Sequence, residues 1–87
     1  MLALPTKLTI SDASAAVASL APAAAQGSGA LVVDASALAE FDSSAIATLL
    51  ELRRQAPGRA FSVKGAPKAM VDLATLYGVA DLIAFDS

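Results

Sequence analysis

Cysteine and histidine are both absent from this sequence, as is tryptophan. Without cysteine there are no disulfides, no iron–sulfur ligands and no thiolate nucleophile, which suits a reducing compartment. Without histidine there is no Ser-His-Asp relay, no imidazole metal site and no histidine proton shuttle. Aromatic residues are few, at 5%. No block of one charge sign occurs: eight acidic and six basic residues give a net charge of −2. A nucleic-acid surface needs clustered Lys and Arg, and the only adjacent pair here is Arg53-Arg54, which reads as the positive end of a helix complementing its macrodipole. No apolar run approaches the roughly 20 residues of a membrane-crossing helix. The N-terminal Met1-Leu2-Ala3-Leu4-Pro5-Thr6-Lys7 has no basic stretch followed by an apolar one, so no signal peptide is expected.

What is present in quantity is alanine: 22 of 87 residues. Alanine favours helix but brings little area to a core. A single domain of this length buries only roughly 60–65% of the surface of its unfolded chain. Its packing mass must come from Leu, Val, Ile, Phe and Tyr.

Along the chain, Leu8-Thr9-Ile10 reads as the end of a short edge strand entered after Pro5. Ser11-Asp12 offers an N-cap to a helix from Ala13 to about Ala25, which Pro22 is expected to kink or end. Gln26-Gly27-Ser28-Gly29 is a loop, and Ala30–Asp34 is a buried central strand. Ala35–Phe41 is a connection, with room for a helical turn. Asp42 then caps a helix from Ser43 to about Gln55, with Ile46, Leu49 and Leu50 on one stripe and Pro57-Gly58 as the stop. Ala60–Lys64 alternates as a strand. Pro67 starts a third helix that runs to about Tyr77, where Gly78 supplies a left-handed C′ residue. Asp81-Leu82-Ile83-Ala84-Phe85 reads as a last short strand. Strands alternating with helices argue for an α/β fold with a largely parallel sheet.

Asp42-Ser43-Ser44 is the segment with most chemical potential. A helix start exposes unpaired N–H groups and a partial positive charge, so two hydroxyls there can cap the helix, bond a partner or carry a phosphate. Capping alone also accounts for these residues. Gly27-Ser28-Gly29 precedes a strand, whereas phosphate loops follow one. Asp34 and Asp42 at strand ends lack a third carboxylate for Mg²⁺. No cofactor, metal or catalytic residue is expected.

The stretch from Leu31-Val32-Val33-Asp34 through Asp42-Ser43-Ser44-Ala45-Ile46-Ala47-Thr48-Leu49-Leu50 resembles the STAS domain signature: an apolar strand ending in Asp, a short connection, then Asp-Ser-Ser-Gly and an apolar helix. Leu73-Ala74-Thr75-Leu76-Tyr77-Gly78-Val79 looks like the MlaB-type branch, the STAS subunit of an ABC-type phospholipid transporter that maintains outer-membrane lipid asymmetry. The resemblance covers about residues 8–85. It implies one STAS-like domain with four or five strands, parallel or mixed, and three or four helices. It further implies a non-catalytic cytoplasmic subunit that binds the transporter's ATPase. Such a subunit would reach the inner membrane and the permease only through that complex, with no nucleic acid bound and no membrane insertion of its own. The partner-binding residues it implies are Asp42, Ser43, Ser44, Ala45 and Thr48, with Leu76 and Tyr77 as apolar support. In the anti-sigma factor antagonist branch, a kinase phosphorylates the serine matching Ser44, with Ser43 adjacent. Two departures stand out. Little precedes the first helix, so the first sheet edge is short or missing. Ala45 stands where the family has glycine, which argues against close backbone approach there, kinase docking included.

Overall fold

The apolar runs around Val33 and Val63 form the two inner strands of a parallel sheet in the computed structural model, which describes residues 2–86. The elements are β1 (Leu2–Ala3), β2 (Lys7–Leu8), α1 (Ala13–Gln26), β3 (Leu31–Asp34), β4 (Glu40–Phe41), α2 (Ser43–Arg54), β5 (Phe61–Lys64), α3 (Lys68–Leu76), α4 (Ala80–Ile83) and β6 (Phe85–Asp86). The main sheet has the order β1-β3-β5-β6, every pair parallel, and β2 pairs with β4 in a second, two-stranded sheet. Val33 stands opposite both Leu2 and Val63, and Val63 opposite Phe85, so one face of the sheet carries an apolar row. Successive side chains alternate between faces, so Val32 and Ser62 point the other way.

Neighbouring strands follow one another in chain order, and right-handed crossovers then place α1, α2 and the α3–α4 pair on the same face. The contacts of α2 with α1, α3 and α4 agree. Between the layers lie Leu8, Val33, Leu49, Leu52, Val63, Met70 and Ile83, all fully buried. Leu4 is buried as well, so the packed unit reaches nearly to the start of the chain.

The α/β class, the parallel sheet and the central place of β3 match the sequence reading. Several elements do not. Of the expected strand end Leu8-Thr9-Ile10 only Leu8 pairs, as the last residue of β2, and Thr9 begins a turn. The first sheet edge is short but present, as β1. The connection Ala35–Phe41 contains β4. A two-residue strand has no periodicity to read, which is why β1 and β4 escape a pattern search and the bounds of β2 are misplaced. Helix α1 has the expected bounds, Ala13–Gln26, but it does not end at Pro22; Ala18 and Pro22 are both on the exposed side. The carbonyl that lacks a donor at the proline therefore faces water, and the ring clash is tolerated. The expected last strand Asp81–Phe85 is mostly helix: α4 takes Ala80–Ile83, and Ala84, in the left-handed region at φ 57°, ends it and lets β6 begin. Burial explains the difference. Only Ile83 of that run is buried while Leu82 is exposed, a pattern that one helical turn satisfies as well as a strand does.

Candidate functional site

Asp42 sits between β4 and α2 in extended backbone, φ −132° and ψ −165°, where its carboxylate can reach forward over the first helical turn. One oxygen accepts the Ser44 N–H at 2.8 Å. The other accepts the N–H of Ile10 at 3.0 Å, from a segment 32 residues earlier. Asp42 is thus a helix cap and a tie between two loops. The Ser44 N–H first, and the Ile10 N–H second, hold its carboxyl below the ordinary range.

The turn that Asp42 ties down is itself closed by hydrogen bonds between Thr9 and Asp12. The Asp12 carboxylate accepts both the N–H (3.0 Å) and the hydroxyl (2.8 Å) of Thr9, and the Thr9 carbonyl accepts the N–H groups of Asp12 and Ala13. Asp12 stands at the cap position of α1, but its side chain turns back to Thr9 rather than capping the helix. The Thr9 groups lower its pKa as well.

The residues implied by the family resemblance separate into three sets. Ser43 is exposed and Ser44 half-buried at the start of α2. Ala45 and Thr48 belong to the core: Ala45 is fully buried, and Thr48 is 2% exposed with its hydroxyl donated to the Ser44 carbonyl at 2.9 Å. Neither offers a partner the open side chain that the resemblance implies: the helix turns Ala45, Leu49 and Leu52 toward the sheet, and Thr48 reaches only the floor of the cleft between α1 and α2. The methyl of Ala45 consequently points away from any partner, and the steric objection to close approach at this position falls.

Leu76 and Tyr77 are exposed, 77% and 53%. They lie at the C-terminal end of α3, whereas Ser43 lies at the N-terminal start of α2. In a parallel α/β unit both helices start at the same sheet edge, so the eight steps along α3 carry Leu76 about 12 Å toward the opposite edge. They are not neighbours of the Asp42 turn.

Sequence reading missed Ile10. It reads in the sequence as the end of a strand, yet it is the most exposed large apolar side chain among the described residues, at 79%. At the same end of the helix layer, Ala13, Ser14, Val17 and Ala18 of α1 face Ala47 and Thr48 of α2 across an open groove of about 390 Å³. The signal was present in the polar Thr9 and Ser11 flanking it, which favour a turn over a strand end.

Among the described residues no three acidic side chains converge on a point where a metal ion could sit, and no helix is long and apolar enough to cross a membrane. Asp34, at the end of β3, accepts the Ser36 N–H at 2.9 Å, and Ser36 lowers its pKa. It acts as a local turn cap.

Helices on one face of a four-stranded parallel sheet, with an Asp-capped helix start as the best-defined polar feature, define a small α/β domain of the STAS kind. The chain belongs to that family: the family model described as "Mlab, STAS domain" matches residues 1–84. No curated protein and no solved structure matches the chain significantly.

Proposed function

We propose that this chain is the non-catalytic accessory subunit of an ABC-type phospholipid transporter that maintains outer-membrane lipid asymmetry. It binds the cytoplasmic ATPase subunit and stabilises or regulates it, and it reaches the inner membrane through that complex. The observation that carries this reading is the match of the MlaB-type STAS model to nearly the whole chain. The docking face is the start of α2, where Ser43 presents an exposed hydroxyl on a helix start held by Asp42. A subunit that binds one ATPase state more tightly than another shifts the cycle toward that state by its difference in affinity. Co-expression with the transporter ATPase of the same organism tests this. A complex that survives gel filtration is expected; separate elution of the two chains rejects it.

A second reading is a phosphorylation-controlled anti-sigma factor antagonist, which binds a kinase in place of the ATPase. The inward-facing Ala45 favours it, because the alanine that stands where the family has glycine packs into the core and leaves Ser43 exposed. A phosphate there would meet the positive end of the helix beside the Asp42 carboxylate, which already holds the Ser44 N–H. Intact-mass spectrometry of protein isolated from its native cells decides: phosphate on Ser43 or Ser44 supports it, and unmodified chain under all growth conditions rejects it.

A further inference from the structure

Exposed apolar side chains are common singly, and most mean nothing. Ile10 differs in how it is held. The turn that carries it is closed by the Thr9 carbonyl and the Asp12 carboxylate, and its own N–H is fixed by Asp42. An isoleucine presented on a backbone with its hydrogen bonds already made loses little entropy when it is buried by a partner. Ile10 lies three residues before α1, and the first turns of α1 and α2 leave between them an open groove lined by Ala13, Ser14, Val17, Ala18, Ala47 and Thr48, small side chains that let another chain approach closely. We infer that Ile10 is the apolar anchor of the docking face, that Asp42 is the positioning residue that holds it there, and that the occupant is a folded partner protein offering an apolar pocket edged by Lys or Arg. This assignment rests on the docking reading above and names the residue that carries it.

The choice of occupant follows from the charges around Ile10. Asp12 and Asp42 are both held ionised by the N–H groups they accept, and they lie near enough to act on one another. Among the described residues, Lys7 is the cation that acts on Asp12. An anionic bilayer is repelled by two carboxylates at the base of its anchor. A two-fold contact with a second copy sets the same carboxylates against themselves. A basic-edged pocket complements them.

The test is calorimetric titration of the full chain with the transporter ATPase of the same organism. Ile10→Asp is expected to weaken binding by roughly thirtyfold or more, as loss of a central apolar anchor does. Ile10→Leu should stay within about threefold of the wild type, and the melting temperatures of both variants should match it. Asp42→Asn should weaken binding in the wild-type background but add nothing further in Ile10→Asp, because its effect passes through Ile10. If Ile10→Asp binds as the wild type does, the Ile10 assignment is overturned and the docking reading stands. Absence of wild-type binding overturns both. Additive losses in the double variant remove the positioning role of Asp42. Sedimentation and flotation with phosphatidylcholine–phosphatidylglycerol vesicles cover the other occupants: a dimer, or vesicle binding, that Ile10→Asp abolishes overturns the choice of partner.

Discussion

Asp42 joins two parts of the chain through one carboxylate, and its ionisation is therefore coupled to folding. Its pKa in the fold lies below the ordinary value near 3.8 because Ser44 and Ile10 donate to the charged form. The sign follows from linkage. The stabilisation is fully present above about pH 4 and is lost as the pH falls through the depressed value, when the carboxyl must take up a proton. Urea titrations between pH 6 and pH 2 should show a falling midpoint for the wild type and a shallower fall for Asp42→Asn. The slope should not vanish, because Asp12 and Asp34 are depressed in the same direction by Thr9 and Ser36. The cap itself was readable from Asp42 standing before an apolar helix. Its second bond, to Ile10, was not, because nothing local relates positions 32 apart.

Helix α1 shows what happens when an element tolerates a residue its pattern forbids. Pro22 removes one hydrogen bond and crowds the Ala18 carbonyl, yet the helix continues to Gln26, where Ala24 is fully buried. Packing of the last turn outweighs the local cost, which for a proline inside a helix is about 3 kcal/mol relative to alanine. Pro22→Ala should therefore stabilise the domain by roughly 1–3 kcal/mol, part of the gain being offset by the freer unfolded chain. Thermal denaturation followed by circular dichroism measures it, and a melting temperature unchanged or lower would mean that α1 gains nothing from an unbroken bond ladder. Helix α2 was legible almost to the residue, because its cap, its apolar stripe and its Pro57-Gly58 stop agree. The run Asp81–Phe85 was misread because its apolar residues fit a strand, and the left-handed Ala84 that decides for α4 has no signature in an alanine.

Across the whole molecule, one side chain closes the end of the domain opposite the Asp42 turn. The Arg59 guanidinium donates to the carbonyls of Ala24 (2.7 Å), Gly29 (2.8 Å) and Ala30 (3.3 Å), so it ties the last turn of α1 to the entry of β3 from the loop before β5. Gly27 makes room for it: a Cβ there would meet Arg59 Nη1 at 2.8 Å. Arg59→Met should lower the unfolding free energy by roughly 1–3 kcal/mol, and Arg59→Lys should recover only part, since an ammonium lacks the fork that reaches three carbonyls. Urea unfolding of the two variants measures this, and a methionine variant as stable as the wild type would show that the clamp contributes nothing. The sequence by itself determined the class of fold, the central strand β3, the helix α2 with its cap, and the chemistry that is excluded, because composition, periodicity and capping are local properties. The tertiary structure alone decided that Ala45 and Thr48 are core, that Leu76 and Tyr77 lie far from Ser43, and that Ile10 stands beside Asp42. These depend on which way a helix is rolled against the sheet and on which loops share an edge, and both are settled by packing between segments distant in the chain.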